Sequence, residues 1–456
     1  MAKAGFVVYG VHKDGLLDPS GDPFIDQNVL DKSVEALKFK GVDIVEHDIV
    51  IATKQEAKDA LLKFKHDESI DCLILFSGTW VWASHLVAAV RDYAMSGRPV
   101  LIWTHPGSQG WRPVGGFVMH GALLEVGIPH TFVYGAADDE EQFNKIIAFA
   151  KAAEMKNMLN MSTIGVFGGR GMGQTCGAAD PSQWMKMFGV DIDSRDTTEL
   201  LETAKSITDE EIEESKQRLL KSFSKLPEMG ESTKRSISLY LALKKLIAKY
   251  NFDFYTIQSF PGLGDDYSAT CFAQSMILDD GIPTSTLSDF NTAMTVFLLM
   301  RLSGSPAYYG ELQHVDRKTK EVKIIGDGAV PPSLASPKDM PDYATHGIKT
   351  EGAAGGISVK LTCKPGQGVL ARLGRIDGEM VMVIAKCEVR VPDNLEERKR
   401  ECGIPFWPHA FAYVDCDIDA LLDHYMNEYG VLGYGDDLCE SLEAFCKMSG
   451  IRAIVL

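Results

Sequence analysis

Along the first 158 residues, short apolar runs alternate with longer runs whose apolar positions recur every three or four residues. GFVVYGV, VDIVEHDIV, CLILFSG, PVLIWTH and HTFVYG read as strands, and NVLDKSVEALKFK, QEAKDALLKFK, HLVAAVRDYAM, GALLEVG and EEQFNKIIAFAKAAEM as helices. Strands joined by helical crossovers predict a doubly wound parallel sheet.

The pattern restarts at Thr163, where the strand TIGVF runs into GGRGMGQTCG and a helix is predicted over Ser182 to Phe188. Residues 197–250 are helical and highly charged, which reads as solvated helix faces. From Phe254 to Asp327, three strand-like runs (254–257, 283–287 and 307–312) flank two apolar helical patterns (270–278 and 290–302). That is a βαβαβ rhythm with parallel strands. After Pro331 the chain turns rich in Pro, Gly and Ala, and β-patterned runs follow, with Asp377-Gly378 as a hairpin signal. The chain is therefore read as α/β: two Rossmann-like doubly wound domains, residues 1–158 and 159–345, then a β-rich, mainly antiparallel domain, 346–456.

Composition narrows the function. A length of 456 residues suits two to four domains at about 150 residues each. A net charge of −17 argues against a nucleic-acid surface and against anionic membranes. No run of about 18 apolar residues appears, nor an N-terminal signal region, so a cytoplasmic protein is expected. Nine scattered cysteines without a CxxC pair read as reduced thiols.

The chemistry is expected where strands end. Asp265, Asp266, Asp289 and Asp327 fall at or just past the carboxyl ends of predicted strands, and such carboxylates suit a hard cation. Asp289 also directly precedes an apolar helical run and reads equally as its N-cap; one residue can serve both roles. Trp80 and Trp82, with Trp103 and Trp111 in the next loop, suggest an apolar ligand wall, a subunit contact or plain core. Arg170, in a loop without side-chain clutter, suits an anion or a sugar hydroxyl, with an ordinary surface arginine as the alternative. Gln258, just past a strand, is read as substrate-binding, as is His409, for which a structural hydrogen bond is the alternative. The spacing Gly169, Gly171, Gly173 mimics a dinucleotide fingerprint imperfectly, being GxGxG rather than GxGxxG.

Several blocks together give the chain a resemblance to the L-fucose isomerase and L-arabinose isomerase superfamily. They are FGGRGMGQ with DPSQWMKMFGVDIDSRDTTEL, ATCFAQSMILDDGIPTSTLSDFNTAMTVFLL, PAYYGELQHVD, WPHAF and GYGDDLCESLEAFCKMSGI. The resemblance implies aldose–ketose interconversion, a divalent metal such as Mn²⁺ or Mg²⁺, and a homo-oligomer, trimer or hexamer. The sequence departs from the family where the metal would sit. The Glu-x-Asp is Leu287-Ser288-Asp289, His-Cys-Gly is Gly326-Asp327-Gly328, and Asn-His is Asn427-Glu428, so only Asp289 is carried over as a ligand.

The resulting expectation is a metal-assisted isomerase passing through an enediol on a deoxy, pentose or acidic or sulfonated sugar. Asp289, Asp327 and Asp266 are its catalytic candidates, Asp289, Asp327 and Asp265 its metal candidates, and Glu428 a further substrate-binding group. The alternatives are a non-catalytic sugar-binding homologue and an NAD(P)-dependent oxidoreductase.

Overall fold

The structure, a computed structural model, describes residues 1–11, 26–107, 111–219, 223, 230–345, 354–401, 404–425 and 429–456. Its contacts divide the chain into two units: Met1–Met158 with Glu440–Ser449, and Leu159–Cys439 with Gly450–Leu456.

In the first unit the alternating pattern becomes β1 (Lys3–Tyr9), α1 (Gln27–Phe39), β2 (Asp43–Glu46), α2 (Lys54–His66), β3 (Cys72–Ser77), α3 (Val87–Ala94), β4 (Val100–Thr104), α4 (Arg112–Glu125), β5 (Thr131–Tyr134) and α5 (Glu140–Leu159). The strands form one parallel sheet in the order β2-β1-β3-β4-β5. The continuous apolar run CLILFS is buried along its whole length, as a central strand covered by helices on both faces requires. Thr53 and Glu56 form a capping box that starts α2.

The second unit opens with β6 (Thr163–Phe167), α6 (Pro181–Phe188), β7 (Asp191–Arg195), α7 (Thr197–Lys205), α8 (Asp209–Leu219), α9 (Glu231–Tyr250), β8 (Phe254–Ile257), α10 (Leu263–Asp266), α11 (Cys271–Asp279), β9 (Thr284–Ser285) and α12 (Phe290–Ser303). These strands make a parallel sheet in the order β7-β6-β8-β9. Gly165 on β6 has no side chain because the Phe252 ring occupies that space: a Cβ there would lie 2.1 Å from it.

The chain then leaves the parallel sheet through β10 (Tyr308–Asp316), β11 (Glu321–Ile325), β12 (Asp342–Thr345), β13 (Ile357–Lys360), β14 (Gly366–Ile376), β15 (Glu379–Val389), α13 (Leu395–Arg400), β16 (His409–Val414), α14 (Ile418–His424), β17 (Tyr429–Tyr434), α15 (Leu438–Ser449) and β18 (Arg452–Val455). A seven-stranded sheet runs β14-β17-β10-β11-β16-β15-β18, and β14 also pairs with β15. The ring from β14 round to β15 therefore closes into an antiparallel barrel, to which β18 adds in parallel on β15.

One expectation changes here. The sequence pattern predicts a parallel strand at 307–312 that continues the βαβαβ rhythm, but β10 pairs antiparallel with β11 and β17 and belongs to the barrel. Its local β pattern was clear, but period-two patterning carries no information on which sheet a strand joins.

Candidate functional site

The second unit's parallel sheet has its switch in strand order at β6, with β7 on one side and β8 on the other. Open α/β sheets place ligands at the carboxyl ends of strands beside such a switch. Gln258 sits there. Its backbone N–H donates to Phe167 O at 2.8 Å, and its side-chain Oε1 accepts from the Gly169 N–H at 2.9 Å. The glycine loop after β6 lies close against this rim. Gly171 N–H donates to Leu287 O at 3.2 Å, and a Cβ on Gly171 would stand 2.6 Å from that oxygen.

The loop after β9 is wound unusually. Leu287 and Ser288 are consecutive non-glycine residues with φ of 55° and 52°, both buried. Such conformations cost on the order of 1–3 kcal/mol each and persist only where the surroundings hold them. Here Ser288 N–H donates to Ile257 O and Asp289 N–H to Thr286 O. Ser285 Oγ donates to Asp289 O at 2.6 Å, and the Ser259 and Thr286 hydroxyls meet at 2.6 Å.

Asp289 is the N-cap of α12. Its carboxylate accepts from Thr292 N–H and from Thr292 Oγ1, both at 2.9 Å. Arg372, in the middle of β14, donates from Nη2 to the same carboxylate at 3.0 Å and also reaches Thr292 Oγ1. Neither side chain is exposed, at 0% each. Around the pair, Ser288 Oγ, Asn291 Oδ1 and Arg372 Nε are buried without a hydrogen-bond partner among the described residues. Unmet buried polar atoms are costly.

The other predicted residues are placed as follows. Asp266 is exposed and Asp265 half-buried, on the single turn α10 just past β8. Asp327 follows β11. Its carbonyl accepts from Cys271 Sγ at 2.9 Å and its carboxylate from Ala329 N–H at 3.3 Å. Burial, with the Asp327 charge nearby, pushes the phenol of Tyr309 well up, and that hydroxyl accepts from Gln274 at 3.0 Å. Arg170 is exposed at the start of the short turn Gly171–Gly173. Trp80 and Trp82 lie in the first unit as an edge-on pair 4.6 Å apart, while Trp103 is wholly buried and donates to Gly135 O. Glu428 and Asn427 lie outside the described residues.

His409 is completely buried on β16. Burial, and then the charges of Lys323 and Lys399, hold its pKa down to about 3, so the imidazole is neutral. It belongs to a buried polar cluster that the sequence reading missed. Lys399 is paired with Asp339 at 2.9 Å, Lys323 reaches Arg398 O, and Tyr413 donates to Glu321 at 2.6 Å. The signal available was charge inside β-patterned runs, as in EVKII.

The metal expectation is tested by the donor set. Among the described residues, no group of three or more His, Cys, Asp or Glu is arranged to hold a metal ion. At Asp289 the carboxylate is shared with a guanidinium, and a cation already in contact repels a divalent ion. The residues around Asp289 thus do not fit a divalent metal as they are arranged. The glycine loop likewise does not lead straight into a helix. The next helix, α6, starts at Pro181, and its N-terminus is capped by the Asp180 carboxylate accepting from Gln183 N–H. An acidic cap gives a pyrophosphate no favourable seat.

Among the described residues no helix is long and apolar enough to cross a membrane. No family model matches the chain. The chain is 24% identical over 362 residues to the sulfoquinovose isomerase of Priestia aryabhattai, covering 77% of this chain and 79% of that protein. It is 24% identical over 317 residues to the sulfoquinovose isomerase of a Clostridium species, covering 67% and 69%. It is 22% identical over 347 residues to that of Alkalicoccus urumqiensis, covering 73% and 76%. Among solved structures, a periplasmic solute-binding protein from Actinobacillus succinogenes with bound D-allose covers 67% of this chain and 93% of its own, at 10% identity and a TM-score of 0.20. That score carries no argument. The chain is thus similar, over most of its length, to isomerases acting on a modified sugar.

Proposed function

We propose that this protein is an aldose–ketose isomerase acting on a sulfonated sugar. The observation that carries this reading is the similarity to sulfoquinovose isomerase over 362 residues, spanning most of both chains.

Isomerisation moves a proton between adjacent carbons and needs a base at carbon with hydrogen-bond donors at the neighbouring oxygens. The rim at the carboxyl ends of β6, β8 and β9 is where we place both groups. The Gly168–Gly173 loop and the buried hydroxyl of Ser288 offer close-lying polar groups for sugar oxygens. Asp266, exposed just past β8, is the carboxylate we assign to the proton at carbon. Asp289, turned into the core against Arg372, is assigned to positioning the β9 loop. Arg170, exposed on the glycine loop, is assigned to the sulfonate, whose oxygens suit the guanidinium fork.

A homo-oligomer, trimer or hexamer, belongs to the same proposal. The apolar residues Val114, Phe117, Val118 and Leu124 are exposed along one side of α4 and support a subunit contact. A cytosolic setting is supported by the described cysteines, which are unbridged and, Cys176 apart, buried. The buried pairing of the one family-matched aspartate favours a second reading, a sugar-binding homologue without turnover.

Incubation of the purified protein with sulfoquinovose and, separately, glucose and L-fucose, with ketose read by ¹³C NMR, separates the two. Ketose from sulfoquinovose is expected, with turnover lost in a folded Asp266→Asn variant. Binding of sulfoquinovose without ketose would leave the sugar-binding reading.

A further inference from the structure

The first unit holds a cavity of about 160 Å³ at the amino ends of β4 and β5. This is the end of a parallel sheet opposite to the one where sites ordinarily lie. The volume is several times the roughly 30 Å³ share of one water, and well below the roughly 300 Å³ of an ordinary organic-ligand pocket.

Its cationic lining is Arg98, Lys156 and Lys447, with the imidazole of His130 beside them, and no carboxylate lines it, although the chain carries a net charge of −17. The three cations come from distant parts of the chain. Arg98, just before β4, is fixed by Nη1 donation to Phe64 O at 2.9 Å and Asp67 O at 2.8 Å. The Asp67 carboxylate itself lies outside the lining and accepts from Ser69. Lys156, on α5, donates to Gly97 O at 2.8 Å, and burial lowers its pKa. Lys447 arrives on α15, in the Glu440–Ser449 stretch that joins this unit, and makes no ion pair among the described residues. His130 Nε2 lies 2.8 Å from His120 Nδ1; burial chiefly holds both imidazoles towards the neutral form, and the Lys447 charge adds to it.

A cavity lined by three cationic side chains and no carboxylate suits a small anion, which can accept their remaining N–H groups. We propose that this cavity binds a small oxyanion of the phosphate or sulfonate class. The inference rests on the first unit alone and stands whether or not the isomerase reading holds.

Titration calorimetry of the full chain with inorganic phosphate and with methanesulfonate, against sodium chloride at equal ionic strength, tests it. Saturable oxyanion binding is expected, about tenfold weaker in Lys447→Met and in Lys156→Met, and unchanged in Lys318→Met, which alters an exposed lysine elsewhere. Thermal melts of each variant without added anion establish that it folds. Phosphate and similar salts stabilise proteins generically by exclusion from the surface, so a melting shift shared by all variants does not count. Binding of phosphate alone identifies free phosphate as the ligand, and binding of both probes extends the site to a sulfonate head group. No saturable binding of either, or unweakened binding in Lys447→Met, overturns the proposal.

Discussion

Arg372 on β14 donates to the Asp289 carboxylate at the start of α12 across 3.0 Å, with both side chains at 0% exposure, so a barrel strand and the parallel-sheet rim are tied by one buried ion pair. Removing one member of such a pair strands the other charge in the core at a cost of about 3–5 kcal/mol. Asp289→Asn keeps a good N-cap residue yet leaves Arg372 uncompensated, so urea unfolding is expected to show a loss of that size. The double variant with Arg372→Met should lose less than the sum of the singles by about 1 kcal/mol or more. Simple additivity would contradict the pairing. Equilibrium dialysis against Mn²⁺ should give the same stoichiometry for the parent and Asp289→Asn; loss of a bound equivalent would put Asp289 back among metal ligands.

Ser288 combines a φ of 52° with a buried hydroxyl lacking a partner among the described residues. Ser288→Gly relieves the backbone, and a gain of about 1 kcal/mol in stability is expected. If the hydroxyl meets a sugar oxygen, kcat/KM should fall about three- to tenfold, the worth of one hydrogen bond. A variant that is stabilised and fully active would remove Ser288 from the site.

The His409 pKa is held down to about 3, against an ordinary value near 6.5 in the unfolded chain. Between those values the unfolded chain binds the proton and the folded protein does not, so stability rises with pH across that window and falls as pH drops below about 6.5. The slope attributable to this residue is up to about 1.4 kcal/mol per pH unit. Denaturant unfolding from pH 6.5 to 5.5 should therefore lose about 1 kcal/mol more in the parent than in His409→Gln. Equal pH dependence in the two would show that His409 titrates normally.

Arg170 bears on specificity. Arg170→Met should raise KM for sulfoquinovose at least about tenfold, about 1.4 kcal/mol, while leaving kcat within a few fold. Its effect on a sugar without the sulfonate should be small. A uniform loss on both sugars would make Arg170 a structural residue of the loop.

What could be read from the chain and what could not divides along physical lines. The parallel strands β3 and β8 and the helices α11 and α12 were legible because period and burial are local properties of sequence. The carboxyl-end location of Asp265, Asp266 and Asp289 followed from the crossover rhythm, whereas Asp327, expected on the same rim, follows the antiparallel barrel strand β11. The partner of Asp289 was not legible. Arg372 is a charge in the middle of the otherwise apolar stretch GVLARL, which says that it needs a buried partner but not which one, since 83 residues separate the two. The left-handed turn at Leu287-Ser288 was hidden too, because neither residue type announces a positive φ. The cationic cavity depends on Lys447, which reaches the first unit only through α15 near the chain's end.

The most direct test of the central claim is a proton NMR time course of the purified protein with sulfoquinovose in D₂O. A proton transfer through an enediol should yield the sulfonated ketose together with deuterium at C2 of the recovered aldose, both dependent on enzyme concentration. Unchanged sulfoquinovose, with neither ketose nor deuterium after prolonged incubation at high enzyme concentration, would contradict the assignment of this protein as a sulfonated-sugar isomerase.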